Sequence, residues 1–510
     1  MVTRIHTERV IRKAVPKQVE PDDGAHARHE RMSKVDTAWL RMDCPSNLML
    51  ILGVWIIKPS VPYAKVCERV QERLLKYSRF RQRVVQDATG AAWVDVPDFD
   101  IEQHVVREKL ARTSKAGEQK ALQARLAELA MQPLDINRPL WQMHFVENYQ
   151  GGSAMMVRIH HCIADGIALI AVTQSLVDGG LAPPQPSAKD DEHDGTMSSA
   201  EEWIAQMLIK PFTNAAVKTL GAAGDGAANL LEALSEPKKG LGKGLEKGLS
   251  GSVEVAKLAY QVLRDAAALA LMADDSPTRL KGTPGSSKRV AWCEPIPLDE
   301  VKAVGKALNC SINDVLLSCV AGAIGSYLKS FGDEISGKEI RAMVPVNLRP
   351  LKDAYKLGNR FGLAPVVLPI GIDNPIERVY AVRRRMGEMK GSVQPLLAFG
   401  LLAVAGVLLK PRQDAMLNLF SRKTTAVMTN VPGPREKLKF LGATLEQSLV
   451  WVPQSGTVGL GVSILSYGGG VQFGVISDGT LCPDPQAIID RFEPEFSKLT
   501  LLTLMLPWDE

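Results

Sequence analysis

The stretch Arg158 to Gly166 (Arg-Ile-His-His-Cys-Ile-Ala-Asp-Gly) constrains this chain more than any other. The apolar run Ala154 to Val157 comes before it, bounded by Gly151-Gly152, and predicts a short buried strand. After it, Ile167, Ile170, Ala171 and Val177 recur at helical spacing and predict a helix. The two histidines therefore fall at the carboxyl end of a strand, and Asp165-Gly166 opens the helix. Strand ends of this kind aim side chains into a crevice, where ligands tend to bind.

The spacing limits the chemistry. Adjacent strand residues point to opposite faces, so His160 and His161 share a pocket only if the strand has already broken. One is then a candidate general base and the other a supporting group. A neutral imidazole, with a pKa near ~6.5, is the side chain best suited to take a proton from a hydroxyl. Asp165 fixes the loop geometry, by pairing with an arginine or by capping N–H groups at the helix start. Gly166 permits a sharp exit. Two satisfied core histidines would leave the same trace. A His-His-Asp metal site is disfavoured, because neighbouring strand residues diverge and no Cys/His cluster lies nearby.

His160-His161-x-x-x-Asp165-Gly166 resembles the motif of the CoA-dependent acyltransferase superfamily. Four further stretches, in the same order, resemble its bacterial wax ester synthase/diacylglycerol acyltransferase branch: Pro139-Leu140-Trp141, Ser311 to Leu316 around Asn313-Asp314, Val344 to Arg349, and Asn430-Val431-Pro432-Gly433-Pro434. The opening Met32-Ser33-x-x-Asp36-x-x-Trp39-Leu40 is similar too. The resemblance runs from Met32 to about Trp508 and is weakest between Gly179 and Ser287. It implies an α/β fold of two chloramphenicol-acetyltransferase-like domains, with mixed sheets flanked by helices and an active-site tunnel between them. It implies transfer of a fatty acyl group from acyl-CoA to a long-chain alcohol or to diacylglycerol. His161 would be the general base, supported by His160, with Asp165 holding the loop through an arginine. Gly166, Asn313 and Asp314 would support the motif, Asn313 being a candidate oxyanion donor. Pro139, Leu140, Trp141 and Asn430 would contact substrate, although Trp141 also reads as core. No metal or tightly bound cofactor is implied, acyl-CoA being a co-substrate. A related enzyme with another acceptor, and a non-catalytic protein of lipid droplets or membranes, remain as alternatives.

At 510 residues the chain is long enough for two domains. A net charge of +5 suits contact with anionic lipid or CoA phosphates and argues against a dedicated nucleic-acid binder. Seven cysteines, an odd number without a close framework, indicate free thiols in a reducing compartment. Cys162 invites a nucleophile reading, and the resemblance implies instead a filler at a variable position of the motif. The expected location is cytoplasmic, peripherally associated with the cytoplasmic membrane or lipid inclusions.

Four segments are expected. Residues 1–31 form a flexible basic tail without the apolar core of a signal peptide. Residues 32–178 form the motif-bearing domain, with helices at Val61 to Phe80 and Thr113 to Met131. Residues 179–287 form a linker with amphipathic helices. Its Gly240-Leu241, Gly244-Leu245, Gly248-Leu249 repeat leaves interfacial lipid contact and plain linker both open. Residues 288–510 form the second domain. There Ser311 caps a helix with Asp314 at its third position. Arg349 is a candidate partner for a carboxylate or phosphate, with exposure as the default. Pro395 to Leu409 is an apolar helix too short for the ~20 residues a bilayer requires, and it reads as buried, as lining an acyl tunnel or as dipping into a membrane. Asn430 to Pro434 reads as a rigid loop.

Overall fold

The computed structural model describes residues 30–87, 90–111, 113–180, 272–349, 356–389, 394–406, 408 and 410–505. Residues 1–29 of the basic tail, the Gly-Leu-Lys repeat and Trp508 lie outside the described residues, and the last two residues of the tail form a short strand. In the first half the elements are β1 (Glu30–Arg31), α1 (Lys34–Arg41), β2 (Leu50–Lys58), α2 (Tyr63–Arg73), β3 (Gln82–Asp87), β4 (Gly90–Asp95), β5 (Val105–Glu108), α3 (Lys115–Leu129), β6 (Trp141–Tyr149), β7 (Gly152–His160) and α4 (Gly166–Leu176). The second half has β8 (Lys288–Trp292), β9 (Ile296–Pro297), α5 (Leu298–Ala307), α6 (Ile312–Ser330), β10 (Ile340–Asn347), β11 (Phe361–Leu368), α7 (Pro375–Met389), α8 (Gln394–Ala405), α9 (Lys410–Ser421), β12 (Ala426–Pro432), β13 (Lys439–Phe440), β14 (Ala443–Trp451), β15 (Leu460–Tyr467), β16 (Gly470–Asp478) and α10 (Gln486–Leu504).

Two mixed sheets organise these elements. One runs β13-β14-β2-β7-β6-β5 and the other β11-β10-β12-β15-β16-β8, with β9 beside β16; β1-β4-β3 form a small third sheet. In the first sheet only β5 and β6 are parallel; in the second β10, β12 and β15 are parallel. Strand β2 is nearly continuous in apolar residues because both its faces are covered. Ile51, Trp55 and Ile57 join the cluster around Trp39, whereas Leu50, Leu52, Val54 and Ile56 pack with Leu122 and Leu126 of α3. The second sheet has its own core, where Val320, Ile324, Phe473, Phe492 and Phe496 meet.

The two halves are interlocked. Strands β13 and β14 belong to the 288–510 segment, yet β14 pairs antiparallel with β2 in the first sheet, from Thr444↔Lys58 to Trp451↔Leu52. The second segment is therefore not self-contained. Asn47 adds a polar tie. Its side-chain N–H group donates to Gly456 O at 2.8 Å, and its oxygen accepts from the buried Lys288 ammonium. Burial pushes that lysine down to about 8.

The expected Ser311 cap holds, and two further local pieces follow from simple backbone chemistry. Ser33 caps α1, and Ser311 with Asp314 forms a reciprocal capping box at α6. Tyr467 to Gly470 turns a hairpin with Gly468 and Gly469 both at positive φ, the backbone a two-residue turn of this hand requires. Other expectations are corrected. The Val61 to Phe80 helix stops at Arg73 and continues as tight turns, Leu74–Lys76 and Ser78–Phe80, which carry Arg79 into the core. Asn430 to Pro432 is not loop but the end of β12, laddered to β15 as far as Pro432↔Ser466. No single helix among the described residues is long and apolar enough to cross a membrane. Helix α8 instead lies across α1 and β11, its Leu402 and Ala405 buried.

Candidate functional site

The site forms where β7 ends. Its last residue, His160, sits opposite Leu50 of β2 and so shares that residue's face, toward α3. The strand then breaks. His161 N–H donates to Met49 O at 2.7 Å, and its ring lies among the residues of the opposite face, against Trp39. The two histidines thus diverge, as strand geometry demands.

Their environments differ accordingly. His160 Nδ1 accepts the Cys162 N–H at 3.2 Å, and its Nε2 faces Asp43 at 3.4 Å. This histidine is tied into the loop, and Cys162 beside it is fully buried as filler. His161 is buried, and its Nδ1 is sealed with no partner among the described residues. Its Nε2 is not sealed, and it makes no hydrogen bond to another side chain among the described residues. Burial pushes His161 down to about 4, partly offset by its own backbone, by Asp165 and by the Asn359 side chain. The ring is therefore neutral at pH 7 and ready to accept a proton.

Asp165 does both things foreseen for it. One oxygen caps α4 by accepting Ala168 N–H at 3.0 Å. The other accepts from Arg349 Nη2 at 3.0 Å and from Arg360 N–H at 2.9 Å. Arg349 is the undetermined arginine, and it is buried, against the default of exposure. It also donates to Gly358 O at 2.7 Å. Backbone bonds zip the two segments together, Asp165 N to Gly358 O and Gly358 N to Ile163 O. Gly358 has φ +105, and a Cβ there would press on Arg79 and Asp36.

A second network crosses beneath the loop. The buried Asp36 carboxylate pairs with Arg79 at 3.1 Å and accepts from both the backbone and side-chain N–H groups of Asn359. Burial raises the Asp36 carboxyl, opposed by Arg79 and Asn359. Arg79 in turn donates to Ile163 O at 2.9 Å, and Asn359 to His161 O at 2.7 Å. Every turn of the motif loop is thus anchored from α1, from the Arg79 turn or from the segment before β11.

Other expected site residues are elsewhere. Pro139, Leu140 and Trp141 are buried and brace the motif strand: Leu140 O accepts His160 N–H, and Trp141 Nε1 donates to Phe80 O. Trp141 is core, stacked on His104, and no free surface remains on it for substrate. Asn313 is exposed, and its side-chain oxygen accepts from Asn430 at 2.9 Å; neither hydrogen-bonds to the motif loop. Asp314 is the buried capping-box acid of α6. Gly166 begins α4 at its expected place. Cavities of about 430 Å³, beside Lys306 and Arg383, and about 640 Å³, between α3 and β8, take in neither histidine.

Sequence reasoning passed over Arg79, Asn359, Arg360 and Phe361, and gave Asp43 no role. The Gly358-Asn359 pair carries a turn signal, but nothing in it points to a histidine far upstream. Near these residues the second sheet opens. Strands β10 and β12 pair only at Ala342↔Ala426 and Met343↔Val427, although both run on, to Asn347 and Pro432.

The lowered value at His161 has a measurable consequence. A base that is neutral down to about 4 places the acid limb of kcat/KM near that value, not near ~6.5. His144, also pushed down to about 4 by burial, behaves alike in stability. Between ~6.5 and 4 the unfolded chain binds the proton and the folded one does not. The contribution of these two rings to stability is therefore full above ~6.5 and falls toward acid, by up to ~1.4 kcal/mol per pH unit for each ring. Urea midpoints that stay constant from pH 7 to 5 would contradict this.

Comparison with known proteins agrees with the geometry. Residues 32–316 match the family model of the wax ester synthase/diacylglycerol acyltransferase catalytic domain, and residues 357–500 match that of its C-terminal domain. A Mycobacterium tuberculosis protein named "probable diacyglycerol O-acyltransferase tgs1" is 27% identical over 483 residues, 92% of this chain and 96% of the relative. Among solved structures, the wax ester synthase/diacylglycerol acyltransferase from Marinobacter aquaeolei VT8 superposes with a TM-score of 0.64 at 19% identity, covering 93% of this chain and all of that one. The first condensation domain of the calcium-dependent antibiotic synthetase gives 0.55 at 13% identity, covering 94% and 97%. The fold is the two-part, chloramphenicol-acetyltransferase-like one that the resemblance implies.

Proposed function

Since the chain belongs to the wax ester synthase/diacylglycerol acyltransferase family, and is thereby an acyltransferase, we propose that it moves a fatty acyl group from acyl-CoA to the hydroxyl of a long-chain alcohol or of diacylglycerol, with His161 as general base. The observation that carries this reading is the state of His161: neutral, buried among aromatic rings, with Nε2 uncommitted.

The acceptor hydroxyl gives its proton to His161 Nε2 as its oxygen forms a bond to the thioester carbonyl carbon. The C–S bond then breaks, and the CoA sulfur takes the proton back from the imidazolium. No acyl-enzyme is needed, and Cys162, sealed in the core, is in no position to form one. The opening between β10 and β12 supports a route for an extended chain toward the motif loop. The preference between alcohol and diacylglycerol, and peripheral contact with a membrane or lipid inclusion, are part of the same proposal.

The test is release of CoA thiol by purified protein from palmitoyl-CoA, with hexadecanol, dipalmitoylglycerol or no acceptor. Acceptor-dependent release with formation of the matching ester is expected, and the ratio of the two rates identifies the preferred acceptor. Folded protein that releases no CoA with either acceptor would defeat the proposal.

A further inference from the structure

In hydrolase triads the base histidine donates its second ring nitrogen to a buried carboxylate. That carboxylate orients the imidazole and stabilises the imidazolium formed when the base takes a proton. His161 has no such partner. Its Nδ1 makes no hydrogen bond to any described residue. Asp165 is committed to Ala168, Arg349 and Arg360, and Asp36 to Arg79 and Asn359. His160, on the opposite face, is bonded to Cys162. The backbone of His161 and the Asn359 side chain favour the charged ring in part, and the faces of the ring are covered by aromatic residues. Trp39 stacks on it with centroids 4.2 Å apart and planes 12° from parallel. Phe361 lies at 5.3 Å and 36°.

An indole face attracts a cation within ~6 Å of its centroid, and more strongly where water is excluded. A neutral imidazole gains little from that field and an imidazolium gains much. The benefit therefore arises as the proton arrives, which is the condition for lowering a barrier and not merely tightening binding. Trp39 is also held rigidly: it is buried, on a helix capped by Ser33 and pinned through Asp36 to Arg79, with α8 packed across it.

We propose that Trp39 is a positioning residue for His161, its indole face fixing the plane of the imidazole and stabilising the imidazolium of the transition state in place of a triad carboxylate. This rests on the acyl-transfer reading above. The test is site-specific replacement of Trp39 by 5-fluoro- and then tetrafluorotryptophan, which keep the ring's shape while draining charge from its face, beside Trp39→Phe and Trp39→Ala. Across the fluorinated series kcat for acceptor-dependent CoA release is expected to fall stepwise, by ~10- to 30-fold in all. KM for both substrates stays within about twofold, the pattern of an interaction made only in the transition state. Trp39→Phe retains part of the rate and Trp39→Ala less. A flat kcat across the fluorinated series in active enzyme overturns the role of Trp39 and leaves acyl transfer standing. Absence of turnover in the unmodified protein removes the reaction itself, and the inference with it.

Discussion

His161→Ala is expected to lower acceptor-dependent CoA release by at least ~100-fold, because general-base assistance contributes ~10²- to 10⁴-fold and no second base stands at the site among the described residues. The nearest alternative, His160, lies on the other face of the sheet with Nδ1 engaged by Cys162 N–H and its ring toward Asp43. Loss of the ring also empties the space against Trp39 and Phe361, so rates must be compared well below the unfolding midpoint of each variant. Acid denaturation supplies an independent check that the variant is folded and that His161 is the neutral buried group. Without that ring, stability should fall less steeply between pH ~6.5 and 4 than in the unmodified protein. Activity in the variant above a tenth of the original would place the base elsewhere.

The second large effect is expected at Arg349. Its guanidinium and the Asp165 carboxylate are both almost fully buried, 3.0 Å apart, and they join the motif loop to the second half of the chain. Removing one partner of a buried pair leaves the other uncompensated and costs ~3–5 kcal/mol. Arg349→Ala also leaves Gly358 O without that donor, and Arg360 N–H as the remaining contact of the Asp165 carboxylate from beyond the first sheet. We expect a clear drop in the urea midpoint together with loss of turnover, since the loop carrying His161 is no longer held. The double variant Asp165→Asn, Arg349→Met should recover part of the stability, because neither charge is stranded, while activity stays low. Equal, additive losses in the two single variants and the double one would mean that the pair is not coupled.

The site was only partly legible beforehand. The strand, the break and the helix around His160 and His161 could be read because apolar spacing over a few residues determines them. The cap by Asp165 was legible for the same reason, being a contact three residues along the chain. Pro139-Leu140-Trp141 and Asn313 were expected to contact substrate or the oxyanion, and the structure shows them in packing and hydrogen-bond contacts of another kind. Trp141 lies in the strand beside β7, its ring packed among His104 and Phe80, and Asn313 sits at the exposed start of α6, bonded to Asn430. Short motifs of this kind mark positions of importance, but their residue types serve packing as readily as catalysis.

The sequence by itself determined the local pieces: which residues end β7, which cap α1, α4 and α6, where Gly468-Gly469 turns the chain, and hence that a histidine emerges from a strand end. Those outcomes depend on neighbours within a turn or two, where the geometry of helix and strand leaves few choices. Only the tertiary structure decided that the arginine for Asp165 is Arg349, 184 positions away, that Asn359 holds the carbonyl of His161 from 198 positions away, and that Trp39 covers its ring. It also decided that β14 leaves its own half to pair with β2. No spacing encodes such partners. They are fixed by how the two sheets, each burying its own apolar faces, come to lie against one another, and any buried arginine or tryptophan brought to that junction would have looked the same in the sequence.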